Sequence, residues 1–194
     1  MLLITNLTTD QLFIYLKKFI NKYSRVYKMP HKISIYTDGA ASGNPGPGGY
    51  GVVLISPEAK LRKELSQGFK CTTNNRMELL AVIVALEALK YDNCNVTLYT
   101  DSKYVADAVE KGWIFEWEKK RFKKKKNPDL WNRFLKVYRR HNVNFVWIKG
   151  HAENKENIKC DKLAVEASKK KNLITDEGYD KENTIFINGF DSLV

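Results

Sequence analysis

Polar and apolar positions alternate with period two along Lys32-Ile33-Ser34-Ile35-Tyr36-Thr37-Asp38, the pattern of a strand with one wet face. Residues 51–56 and 61–69 read as two more strands, the second alternating in a way that suits a sheet edge. Between them and the first strand, residues 39–49 carry Gly43-Asn44-Pro45-Gly46-Pro47-Gly48-Gly49 and read as turn and loop. Helical spacing then takes over. Residues 74–90 place Met77, Leu80, Ala81, Val84 and Ala88 on one face, residues 95–99 form a buried strand, and a helix opens at Ser102. A helix over 127–141, a strand over 144–148 and a helix over 157–171 complete the pattern. Three strands followed by strands alternating with helices imply an α/β fold, a mixed sheet with an antiparallel flank.

The two ends differ from this middle. Leu12, Leu16, Ile20, Tyr23 and Tyr27 recur at three- to four-residue spacing after the capping candidates Thr8, Thr9 and Asp10, with Lys17, Lys18, Lys22, Arg25 and Lys28 interleaved. Residues 1–30 therefore read as a basic amphipathic helical extension, broken by Met29-Pro30. The catalytic domain is expected over 31–172, and residues 173–194 as a polar, partly disordered tail.

Composition narrows the class. The 194 residues carry 33 Lys+Arg against 22 Asp+Glu, a formal charge of +11 that points to a polyanionic partner. Residues 111–151 alone hold thirteen basic and three acidic side chains, a local charge of +10. Cys71, Cys94 and Cys160 are odd in number and form no Cys-x-x-Cys pair, which argues against a disulfide framework or a zinc site and fits a reducing cytosol. No apolar stretch approaches the ~18 residues of a membrane span, and the start lacks the order of a secretory signal. A cytoplasmic monomer is expected.

Four acids stand out by position. Asp38 and Asp101 end strands, in Tyr36-Thr37-Asp38-Gly39 and Leu98-Tyr99-Thr100-Asp101-Ser102. If those strands are parallel neighbours about 4.8 Å apart, the carboxylates meet at the sheet end where open α/β folds bind ligands. Glu78 lies early in the first long helix and Asp161 early in the last. Each acid alone could cap a helix or satisfy a turn. Converged, they would need to share divalent cations, because clustered carboxylates cannot all ionise unpaired. An oxygen-only ligand set selects hard ions such as Mg²⁺ or Mn²⁺. Periodicity permits the convergence without establishing it.

Five strings, Tyr36-Thr37-Asp38-Gly39-Ala40, Gly43-Asn44-Pro45-Gly46-Pro47-Gly48-Gly49-Tyr50-Gly51, Thr72-Thr73-Asn74-Asn75-Arg76-Met77-Glu78-Leu79, Thr100-Asp101-Ser102-Lys103-Tyr104-Val105 and Lys149-Gly150-His151-Ala152, resemble type 1 ribonuclease H in order and spacing. The likeness runs from about residue 32 to 167. It implies a ribonuclease H-like fold, a five-stranded mixed sheet whose first three strands are antiparallel, flanked by helices. The implied activity is endonucleolytic hydrolysis of the RNA strand of an RNA–DNA hybrid with two Mg²⁺ ions per site, Mn²⁺ being a possible substitute, giving 5′-phosphate and 3′-hydroxyl ends. Asp38, Glu78, Asp101 and Asp161 match the family's metal-binding acids, and His151 matches its proton-carrying loop histidine.

The resemblance also assigns substrate contacts. Asn44, Asn74 and Asn75 match residues that contact the RNA strand, and amides can both donate to and accept from a 2′-hydroxyl. Thr73, beside a helix N-terminus, is placed to bind a phosphate of the DNA strand. Residues 112–126 resemble the basic protrusion with which some members grip the hybrid: Trp113 and Trp117, one helical turn apart, stand among Lys119, Lys120, Arg121 and the lysines at 123–126. Two departures concern the His151 loop: Glu153 stands where the family often has Gly, and Ile158 where relatives often have an acid. An integrase-like DNA-processing enzyme would share the carboxylate end of the sheet but not the Thr-Thr-Asn-Asn-Arg-Met-Glu string. A catalytically silent hybrid-binding module would keep the groove without cleavage.

Overall fold

The computed structural model describes residues 31–150 and 154–180, so the expected helix in residues 1–30, His151 and residues 181–194 lie outside the described residues. Five strands, β1 (Lys32–Ala41), β2 (Gly46–Ser56), β3 (Leu61–Thr72), β4 (Asn95–Thr100) and β5 (Asn142–Trp147), form one sheet in the order β3-β2-β1-β4-β5. The first three make an antiparallel meander, whereas β4 and β5 run parallel to β1 and are reached through helices. Such crossovers are what parallel neighbours require.

Helix α1 (Asn74–Glu87) is buried on almost every side, because β1 and β2 cover one face and α4 (Pro128–Tyr138) covers another. Its buried positions therefore run round the helix rather than along one stripe, and it ends three residues before the expected 90, with the Ala88 N–H donating to Val84 O. Ile35, Val52, Leu98, Trp131 and Phe134 lose all exposure in this layer. Each such side chain contributes about 1.5–3 kcal/mol of hydrophobic stabilisation. On the outer face lies α5 (Lys155–Ser168), whose small residues Cys160, Ala164 and Ala167 face the sheet. The Asn154 side chain caps it, accepting from the Glu156 and Asn157 N–H groups.

The glycine-rich stretch departs from expectation. Only residues 42–45 turn, and Gly46, Gly48, Gly49 and Gly51 lie within β2. They are glycines because α5 and neighbouring backbone come too close for side chains. A Cβ at Gly51 would collide with the Cys160 carbonyl, and one at Gly49 would sit 2.7 Å from the Ala164 carbonyl. Contact with α5 explains Gly49 and Gly51, the neighbouring strands explain Gly48, and the turn itself explains Gly43 and Gly46.

Between β4 and β5 the chain forms α2 (Lys103–Glu110), a left-handed break at Gly112, and α3 (Trp113–Lys119) before α4. Part of the segment expected to be a loose tail is structured as well. Ile174 bridges to Phe69 of β3, and Asp176 is buried with its carboxylate on Thr72 and Arg76. Packing against β3 and α1 thus reaches at least Asp176, the anion that meets the buried Arg76.

Candidate active site

Parallel register aligns Thr37 of β1 with Thr100 of β4, so Asp38 and Asp101 come side by side one residue later. Asp101 follows the end of β4, whereas Asp38, expected at a strand end, lies inside β1, which stays paired with β2 as far as Ala41. Glu78 comes down onto them from α1. The helix can approach because Gly39 follows Asp38: a Cβ there would collide with the backbone of Met77 and Glu78. One carboxylate oxygen from each of Asp38, Glu78 and Asp101 lies within 4.8 Å of the others.

These acids receive little internal support. The Gly39 N–H donates to Asp38 Oδ1 at 2.7 Å, and Asn74 Nδ2 donates to Glu78 Oε1 at 3.3 Å. Glu78 Oε2 and Asp101 Oδ1 are buried with no partner among the described residues. Burial first, then the Asp101 charge, pushes Asp38 up to about 7; Asp161 adds to this and the Gly39 N–H opposes it. Burial likewise drives Glu78 well above the usual carboxylate range, reinforced by Asp38 and Asp101. A proton or a cation must compensate such a cluster. Orphaned oxygens, an all-oxygen donor set and mutual repulsion fit a hard divalent ion.

Asp161, half-buried on α5, lines the same cleft of about 280 Å³ with Asp38, Asp101 and Asn74, but stands outside the tight trio. Ile158, half exposed, lines it too. Asn157, one turn before Asp161, is buried in its wall with Oδ1 unpartnered; the sequence offered only an i, i+4 relation to Asp161 as a signal for it. His151 follows Gly150, the last described residue of that segment.

Of the expected substrate residues, Asn74 lines the cleft. Asn44 Oδ1 accepts from the Asn74 N–H at 3.2 Å, tying the β1–β2 turn to the start of α1. Thr73 is the extended residue before that helix, and Asn75 is exposed. Trp113 and Trp117 stand 6.4 Å apart between ring centroids. Trp113 is 46% exposed, whereas Trp117 packs edge-on against the buried Trp131. Lys111 and Lys125 lie 4.8 Å from the centroids of Trp113 and Trp117 respectively. Lys120 and Arg121 are exposed, Lys119 pairs with Glu116, and Phe122 anchors the turn in the core.

Sequence reasoning missed a second charged centre. Arg76, 1% exposed, donates Nε and Nη2 to Asp176 and Nη1 and Nη2 to Asp129, with Nη1 also reaching Asn127. Asn127 continues to the Tyr104 hydroxyl, which also accepts from Trp131 Nε1. Asp176 carries no local pattern, so nothing in the chain flagged it.

Sheet order and acid cluster together define a nuclease of the class that grips divalent cations through carboxylates. Residues 30–169 match the family model for RNase H. A ribonuclease H of Trichodesmium erythraeum is 56% identical over 153 residues, covering 76% of this chain and 96% of that one. A ribonuclease H of Desulforamulus reducens is 58% identical over 150 residues, covering 75% and 92%. Among solved structures, LC9-RNase H1, described as a type 1 enzyme with the type 2 active-site motif, superposes with a TM-score of 0.64 at 30% identity over 72% of each chain. LC11-RNase H1, solved in complex with an RNA/DNA hybrid, gives 0.53 at 31% identity over 70% of this chain and 95% of that one. The chain belongs to the ribonuclease H family. It is an endoribonuclease, a hydrolase directed at RNA–DNA hybrids.

Proposed function

We propose that the chain hydrolyses the RNA strand of RNA–DNA hybrids with two Mg²⁺ ions held by Asp38, Glu78, Asp101 and Asp161, leaving 5′-phosphate and 3′-hydroxyl ends. The observation that carries this is the trio of converging carboxylates, Asp38 and Glu78 buried and Asp101 partly so, with two orphaned oxygens. When bound, the ions activate the attacking water and offset the charge developing on the leaving oxygen. Asp38, in the trio with Glu78 and Asp101 and on the cleft it shares with Asp161, would be the ligand common to both ions. Asp161 would hold the ion that serves the attacking water, and Glu78 with Asp101 the ion that serves the leaving group. His151 carries a proton for the water or for departing product, a task suited to an imidazole titrating near ~6.5.

Asn44, Asn74 and Asn75 read 2′-hydroxyls, and Thr73 with the start of α1 takes a DNA phosphate. The Trp113 face, with Trp117 behind it, and the cations Lys119, Lys120 and Arg121 grip the other strand of the hybrid. No helix among the described residues is long and apolar enough to cross a membrane. With its three cysteines unpaired, we place the enzyme in the cytoplasm as a monomer.

The test is incubation of the full chain and Mg²⁺ with labelled RNA–DNA, RNA–RNA and DNA–DNA duplexes. Cleavage confined to the hybrid RNA, with 5′-phosphate ends, is the expected result. Cleavage of either other duplex, or hybrid binding without cleavage, overturns it. Repeating the assay with Mn²⁺ alone decides which ion sustains the faster turnover; Mg²⁺ is expected.

A further inference from the structure

We propose that Trp147 is a positioning residue for Asp101, its indole N–H fixing the backbone from which that carboxylate reaches the cation site. Asp38 and Glu78 each receive a hydrogen bond on the carboxylate itself, from Gly39 and Asn74. Among the described residues no donor reaches the Asp101 carboxylate, and its Oδ1 is buried without a partner. Its placement therefore depends on its main chain. Beyond the last β4 pairing, the Ile148 N–H still donates to the Thr100 carbonyl at 3.0 Å. Trp147 Nε1 then donates to the Asp101 carbonyl at 3.0 Å, securing the next residue after the ladder has ended.

The ring itself contributes little to the core. It is 42% exposed, and Lys103 Nζ lies 5.0 Å from its centroid. A tryptophan in such a place is distinguished by its donor. The same segment also runs close to the acid: a Cβ on Gly150 would lie 2.8 Å from Asp101 Oδ2. One stretch of chain thus braces Asp101 through its carbonyl and passes against its carboxylate before entering residue 151. Hydrogen bonds that orient ligands in this way commonly govern metal affinity by 10-fold or more.

This inference rests on Asp101 being a cation ligand, and the experiment separates the two. Mn²⁺ binding to the full-length protein is measured by calorimetry for wild type, Trp147→Phe, Asp101→Asn and the double variant. Phenylalanine keeps a ring beneath Lys103 and deletes the donor. Expected for Trp147→Phe is about 10-fold weaker Mn²⁺ binding, a metal-free Tm within about 2 °C of wild type, an unchanged KM for hybrid and recovery of kcat at saturating cation. The Trp147→Phe effect should vanish in the Asp101→Asn background. Unchanged Mn²⁺ affinity, a raised hybrid KM with normal Mn²⁺ binding, or an effect that persists without Asp101 would each overturn the role of Trp147. Failure of the wild type to bind Mn²⁺ would instead overturn the cation site.

Discussion

Arg76 and Glu78 sit two residues apart in α1, both buried, in opposite electrostatic conditions. Arg76 is met by two carboxylates and an amide, so its charge is compensated by the protein itself. Burial would lower its affinity for the proton, but the hydrogen bonds it donates to Asp129 and Asp176 more than reverse that. Glu78 faces Asp38 and Asp101, like charges with no cationic side chain bonded to them among the described residues. A satisfied buried charge braces a fold, whereas an unsatisfied cluster is a receptor for something the chain lacks. Helix α1 carries one of each.

The contrast breaks most sharply at the cluster. Asp101→Asn should lower hybrid cleavage by at least about 10³-fold while leaving hybrid affinity within a few-fold, as transition-state stabilisation is lost but the grip is not. Gel-shift and single-turnover assays on one preparation measure both. At the brace the outcome inverts. Arg76→Met leaves Asp176 buried without its cation and should destabilise the fold by about 3–5 kcal/mol in urea unfolding. Wild-type Mn²⁺ affinity in the fraction still folded at low temperature would confirm that the brace is structural.

Titration sharpens the same comparison. Asp38 sits near 7 in the metal-free fold against an ordinary 3.8. Between about pH 4 and 7 the folded protein holds a proton that the unfolded chain has released, so the metal-free protein should gain stability as pH falls through that window. The gain is at most about 4 kcal/mol. Asp38→Asn should flatten this slope in chelator-treated protein, and Tm against pH reads it directly. Burial would raise Asp176, but Arg76 and Thr72 hold it below its ordinary 3.8. Its contribution is present at neutral pH and fades only as pH falls below about 4, the opposite sign. The smallest expected effect lies outside both centres. Replacing the lysines at 123–126 with glutamine should reduce the salt slope of hybrid binding by about 2–4 with little change in kcat at saturation.

Much of the acid cluster could be read in the chain because alternation along a strand is a local feature, even though β1 runs three residues past Asp38. Asp38 and Asp101 each close a period-two run, and parallel register does the rest. What could not be read depends on partners far away. Asp176 meets Arg76 a hundred residues distant, and an isolated acid in a polar tail has no periodicity to betray its burial. The glycines of β2 misled for a related reason. Turn chemistry and close packing both select glycine, and only the position of α5 tells them apart. The tryptophans at 113 and 117 divide similarly: spacing pairs them, but only Trp131 decides which one is turned toward the core.

Those β2 glycines have a consequence for the acid that α5 carries. Asp161 rides on the helix that Gly49 and Gly51 admit, so the gap across the cleft is calibrated by two absent methyl groups. The sheet works as a caliper: its jaws are Asp38 and Asp161, and its setting is written in residues that have no side chain at all.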